Sequence, residues 1–289
     1  MLILQLLVNG VLLAGMYLLM AQSLNLIFGV MRIVNFAQGT MIAVAGLFTV
    51  WLATRVGLNP FLAIPIVFVA MFLIGAVVER ALLRRITLRG TQGELMTLMV
   101  TFGVSFVLIN LALKAWGSEY VSLPYLQSSW RLGPIEFAKS LVIAGAFGTV
   151  LSAALFSWLN LTGSGKALLA TSQSRIGAGT CGIDAGRMST LAFALGSALA
   201  AAAGTVLVLV TPLGPQSGND LTILCFVVIA LGGLGDYLGA ILGALVVGVA
   251  QSVLGFYLGG NVQVLLPYIL LILIMLFIPR GLSLSRLTR

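Results

Sequence analysis

Charge in this chain is confined to short breaks between long apolar runs, and that confinement limits the fold more than any motif does. A helix crossing a bilayer needs about 20 apolar residues, and the 289-residue sequence supplies that length several times over. Hydrophobic residues make up 60% of the chain and charged residues 8%, against about 25% charged in a soluble domain. A large water-soluble core is therefore excluded. The apolar runs do not alternate, which also excludes a membrane barrel of short strands. The expected fold is an all-α polytopic membrane protein, one transmembrane domain over residues 1–289.

The runs predict helices near 3–29, 35–54, 61–79, 95–114, 138–160, 188–211 and 263–279. Asn59-Pro60 is a helix-start signal and Pro279 a stop. The N-terminus lacks a basic region and a cleavage site, so it reads as a retained first helix rather than a signal peptide. TPLGPQSGND, after the sixth run, is a Pro/Gly loop. The region 221–258 is too long for one helix, and GGLGDYLG breaks it at Gly232–Gly239. A pair of short, re-entrant or broken segments is expected there, for about nine crossings in all.

The net charge of +8 comes from basic residues scattered through short loops, the pattern by which membrane proteins set orientation. Nucleic acid is not an expected partner; membrane lipid is. With Arg32, Arg80, Arg84, Arg85, Arg89, Lys166, Arg175, Arg187, Arg280, Arg286 and Arg289 in the cytosol, only Arg55, Lys114, Arg131 and Lys139 remain outside. The N-terminus is then outside and the C-terminus cytosolic.

There are no histidines, and Cys181 and Cys225 have no metal-ligand spacing, so zinc and histidine chemistry are out. No catalytic residue, cofactor or metal is expected in this chain. LNLTGSGKA imitates a phosphate-binding loop, but Asn160 stands where its first glycine belongs and Ala167 where Ser or Thr belongs. If ATP is used, another polypeptide binds it. Small residues at Gly196, Ala200 and Gly204, and at Gly235, Gly239, Gly243 and Gly248, recur near helical spacing and serve close helix packing. The seven acids all fall at predicted helix edges or in loops, which counts against a carrier built on a buried carboxylate. Gln22, Ser23, Asn25, Asn35, Gln38, Asn110 and Gln251 lie within spans. They either bond between helices or line a polar, uncharged path, for which Asn25, Asn35 and Gln38 are the candidates.

Three stretches carry a resemblance. GMYLLMAQSLNLIFGVMRIVNFAQG, Gly15–Gly39, is similar to a pattern ending in Asn-Phe-Ala-His-Gly. The stretch from Gly163 to Gly204 is similar to G-[RK]-A-x-R-A … A-x-x-x-G-I … F-x-x-G-x-x-L-A-x-x-A-G, and LGGLGDYLGAILGALVVG to a Gly-rich segment that follows. In this order they resemble the membrane permeases of branched-chain amino acid ABC importers, over residues 5–281. Gln38 departs from the family's His, Leu169 from its second basic residue, and Gly177 and Gly179 loosen the loop. Urea or short-chain amide permeases share much of the pattern.

The resemblance implies a permease subunit in the bacterial inner membrane, paired with a second, related permease subunit. Two ATPase subunits would hold the ATP, and an external binding protein would deliver substrate. It also implies that 163–187 is the coupling loop to an ATPase subunit, through Gly165, Lys166, Ala170, Arg175, Gly182, Ile183 and Asp184. The helix-forming part, Lys166–Gln173, is too short to be stable alone in water. The polar outer loops 115–137 and 212–220 are expected either to receive the binding protein or, through Trp116, Tyr120, Tyr125 and Trp130, to form an interfacial aromatic belt. An ion-coupled secondary transporter is the alternative from another class; it would work without ATPase subunits. The chain is not expected to be an enzyme.

Overall fold

The computed structural model describes residues 2–87, 91–125, 128–132 and 135–277. Arg89, Pro279 and the tail arginines Arg280, Arg286 and Arg289 lie outside the described residues. Helix α1, Leu2–Met31, is apolar all round and has no polar face to turn to water, so it becomes the buried core element. From Ala14 to Met31 nearly all its side chains are buried.

After α1 come α2 (Gln38–Arg55) and α3 (Pro60–Val78). A π-helical turn, Glu79–Leu83, leads from α3 into α4 (Arg84–Thr87). Helix α5 (Thr91–Trp116) precedes strands β1 (Ser129–Leu132) and β2 (Ile135–Ala138), then α6 (Lys139–Leu161). Two short helices follow, α7 (Gly163–Gln173) and α8 (Arg175–Thr180), and then α9 (Ala185–Leu207). A 3₁₀ turn at Pro215–Ser217 leads into α10 (Gly218–Gly232), α11 (Tyr237–Leu258) and α12 (Gly260–Phe277). The connections α2–α3 and α10–α11 are tight because each ends in a cap. Asn59 Oδ1 accepts from Phe61 N at 3.0 Å, and Asp236 Oδ1 accepts from Leu238 N and Gly239 N at 3.1 and 3.2 Å.

Six described helices are long and apolar enough to cross a bilayer: Leu2–Met31, Pro60–Ile86, Leu95–Trp116, Lys139–Leu161, Ala185–Leu207 and Tyr237–Leu258. The polytopic helical class therefore stands; α2 and α10 do not reach that length and composition, and the stretch of α12 counted among the described residues is Leu265–Ile274. Two details differ from expectation. The loop 116–136 holds an antiparallel hairpin, with Trp130 opposite Phe137. In 221–258 only one segment is short: α10 already begins at Gly218 and has 15 residues, whereas α11 has 22.

The bundle repeats one arrangement. Helix α1 packs along α11, and α3 packs along α9. At the end of α1 an extended link, 32–37, turns back into the bundle, and α2 starts inside it. Gln38 at the start of α2 reaches Ser23 at 2.7 Å, eight residues or ~12 Å before the end of α1. After α9 a second link, 208–217, likewise turns inward, and α10 starts against α2. The third residue of each short helix bonds to a flanking helix: Thr40 Oγ1 to Ser105 Oγ of α5 at 2.7 Å, and Asp220 Oδ1 to Tyr268 Oη of α12 at 2.6 Å. The half α1–α2–α3–α5 is thus echoed, in the opposite sense, by α9–α10–α11–α12. That is the layout of inverted-repeat transporters.

Candidate functional site

The first turns of α2 and α10 meet inside the bundle. A Cβ on Gly39 would collide with backbone atoms of Gly218 and Thr222, so only glycine lets the two helices come this close. Gly39 N donates to Thr222 Oγ1 at 3.0 Å. Link 32–37 is irregular backbone and needs partners for its polar groups. Asn35 Oδ1 accepts from Ala37 N at 3.1 Å, and its Nδ2 donates to Gln38 Oε1 at 3.0 Å. Gln38 Nε2 then donates to Ser23 Oγ, which donates to Met20 O at 2.6 Å.

Of the candidate path residues, the structure brings Asn35 and Gln38 together and leaves Asn25 apart. Asn25 Oδ1 accepts from Gly235 N at 2.8 Å, in the turn between α10 and α11. All three are fully buried within the chain. Among the other neutral polar groups, Asn110 bonds to Phe106 O in its own helix. Buried Gln22 Oε1, Gln251 Oε1 and Asn25 Nδ2 have no partner among the described residues.

Several contributors were missed by the sequence reading. Thr101 Oγ1 accepts from Phe36 N at 3.3 Å, and the Thr222 hydroxyl, 2.8 Å from Gly218 O, also lies within 3.3 Å of Phe36 O. The signal was there: Thr97, Thr101 and Ser105 recur every fourth residue on α5 and are all buried. Glu79, expected at a helix edge, is an exception. It sits within the continuous helical rod Pro60–Ile86, 1% exposed, and accepts from Thr190 Oγ1 at 2.6 Å. Residues 212–220 are not a simple outer loop either. Leu213, Gly214, Pro215 and Gly218 are buried, and Leu213 pairs with Val121.

The arm between α6 and α9 is organised by three caps. Thr162 Oγ1 accepts from Gly165 N at 3.1 Å, Ser174 Oγ from Gly177 N at 3.0 Å, and Asp184 Oδ1 from Gly186 N and Arg187 N at 2.8 and 3.1 Å. The single short helix expected here is therefore two, because Ser174 stops one and starts the next. Gly182 turns with φ +79°, and Ile183 N returns to Ala178 O at 3.0 Å. Gly165 packs directly on Trp158 and Leu159 of α6. Lys166, Arg175, Gly182 and Asp184 are exposed, Ala170 and Ile183 half-buried. Arg175 donates to Ser189 Oγ of α9 at 2.9 Å. Asp184 pairs with Arg187 at 3.3 Å; the Arg187 amide, the Gly186 amide and the nearby Arg187 and Arg84 guanidinium groups hold its carboxyl below the usual range. Ile176 is 84% exposed, an apolar side chain standing free on the arm. Arg32, in a left-handed conformation, donates to Ser172 O of α7 at 3.2 Å and so ties the arm to link 32–37.

Helices that begin inside an apolar bundle, beside polar groups, define a membrane transport protein rather than an anchor. Residues 6–276 match the family described as branched-chain amino acid transport system, permease component, and the chain belongs to that family. It is 28% identical over 299 residues to the high-affinity branched-chain amino acid transport system permease protein LivH of Salmonella typhimurium, covering 96% of this chain and 94% of that one. It is 27% identical over 292 residues to permease protein BraD of Pseudomonas aeruginosa, with the same coverage. The probable permease protein LivH of Methanocaldococcus jannaschii is 26% identical over 257 residues, 86% of this chain and 80% of its own.

Proposed function

We propose that this chain is the permease subunit of an ATP-binding-cassette importer, forming the path for branched-chain or related amino acids delivered by an external binding protein. It pairs with a second, related permease subunit and two ATPase subunits, which hold the ATP; this chain carries no cofactor. It lies in the bacterial cytoplasmic membrane with its N-terminus outside. Nine crossings follow when α2 and α10 are counted as helices that start partway through and α12 is included. Arg32, Arg84, Lys166, Arg175 and Arg187 then fall at the cytosolic end and Arg55, Lys114 and Lys139 at the outer end, as the positive-inside rule asks.

The observation that supports this best is the arm. Its caps, its packing on α6 through Gly165, and exposed Ile176 suit a lever seated in a cleft of an ATPase subunit. Gly165, Lys166, Ala170, Arg175, Gly182, Ile183 and Asp184 belong to it. Movement of the arm would reach Asn35 and Gln38 through Arg32 and Ser172; those two residues, with Asn25, set the wall of the path rather than its open surface.

The test is reconstitution with all partners. Ile176→Asp and Gly182→Trp should leave membrane insertion intact, and should abolish substrate-stimulated ATP hydrolysis or release the ATPase. Wild-type transport and stimulation in both variants would overturn the lever.

A further inference from the structure

Link 32–37 turns all but two of its side chains inward, and one of the exceptions is an aromatic. Phe36 is 39% exposed, although its amide and carbonyl are clamped by Thr101 of α5 and Thr222 of α10. Its ring meets Phe102 edge-on at 6.2 Å and Phe226 at 5.9 Å, and Phe102 meets Phe106 edge-on at 4.8 Å. Phe102 and Phe106 are 49% and 53% exposed. Four rings from three separate elements thus form one open apolar surface at the junction of the two short helices.

That surface lies well inside the apolar span. Thr101 is six residues, ~9 Å, from Leu95 at the start of the span in α5. Non-helical backbone occurs at such depth only where protein or water covers it, not lipid. The face that displays Phe36 would therefore be covered by protein or water rather than by lipid. Edge-to-face rings on a clamped backbone make a surface of fixed shape, suited to an apolar group that passes without being held by charge.

We propose that Phe36, Phe102, Phe106 and Phe226 form the constriction that receives the aliphatic side chain of the transported amino acid. This rests on the reading of the chain as a permease for such amino acids. Phe36 sets the width, and Thr101 and Thr222 are positioning residues that hold it there.

The experiment uses the whole transporter in liposomes, with binding protein saturated either by leucine or by alanine, so that rates of import report the permease step. Phe36→Ala and Phe102→Ala should each lower the leucine-to-alanine import ratio by about tenfold, and Phe36→Leu should recover most of it. If Phe36→Ala fails to assemble, Phe102→Ala and Phe106→Ala decide, because both rings lie on an exposed helix face. An unchanged ratio in an active transporter overturns the constriction. So does a loss of pairing between the two permease subunits with the ratio unchanged, which makes the rings a subunit seam. A wild-type transporter that imports no amino acid overturns the functional reading, and this inference with it.

Discussion

Link 32–37 and link 208–217 both carry the chain back into the bundle so that a short helix can start there, but they are held differently. The first depends on side chains: Asn35, Gln38 and Ser23 bond in series, and Thr101 and Thr222 close on Phe36. The second depends mainly on backbone, with one side-chain acceptor, Ser217 Oγ, taking Gly214 N at 3.0 Å. Val121 and Leu213 exchange two amide bonds at 2.9 Å, and Leu123 N donates to Val208 O at 3.1 Å. One geometry is thus reached by two chemistries. The first link should be sensitive to residue identity, the second to little beyond Pro212, Gly214, Pro215 and Ser217.

The point where the links meet is the most sensitive place of all. Gly39→Ala puts a methyl group into the backbone of Gly218 and Thr222, which cannot move aside as a side chain would. The expected cost is about 3 kcal/mol or more, seen as loss of folded chain in detergent by size-exclusion chromatography. Normal yield and thermal stability would mean that the helices do not meet there.

Next in size is Gln38→Leu. It removes the bonds to Asn35 and Ser23 and leaves Asn35 Nδ2 buried without a partner. An unsatisfied buried group costs about 1–3 kcal/mol. Apparent melting temperature should fall, and Ser23→Ala should cost less on this background than in the wild type, since only its bond to Met20 O is left to lose. Opposite the other link, Val121→Thr keeps both amide bonds to Leu213, and its effect should stay within about 0.5 kcal/mol. A drop as large as that of Gln38→Leu would show that the two links do not differ as described.

How much of this was legible follows from the same contrast. Long apolar runs are a composition effect, so the helical membrane class could be read directly, as could the Asn59-Pro60 start and the break before Asp236. The junction could not. Gly39 and Gly218 look like any small residues in membrane helices, and nothing in their spacing says that two helices begin face to face. The hairpin pair of strands is short, and Trp130 opposite Phe137 leaves no alternating pattern long enough to recognise. Glu79 was misplaced because its neighbours Arg80, Arg84 and Arg85 make the segment look like a loop, while the chain keeps it helical through a π turn. In the arm, the residues were found but the division into two helices was not, although Thr162, Ser174 and Asp184 are ordinary cap residues.

The smallest effect separates the arm from both links. Asp184 caps α9 by accepting from Gly186 N and Arg187 N, and it pairs with Arg187. These bonds lower its folded pKa, so the folded state gives up this proton more readily than the unfolded one. A group shifted this way contributes fully above its unfolded value, about 3.9, and the contribution fades as pH falls through the lowered folded value. Stability should therefore be flat in pH from 8 down to about 5 as far as Asp184 is concerned. Asp184→Asn keeps an oxygen for the two amides and removes the charge. It should be slightly less stable than the wild type at neutral pH and lose stability less steeply below about pH 4, so that the two converge in acid, measured as apparent melting temperature in detergent. Equal acid sensitivity in both proteins would mean that the capping carboxylate is not the group that titrates. Neither link contains a carboxylate, so Gln38→Leu and Val121→Thr should shift the whole profile without changing its slope.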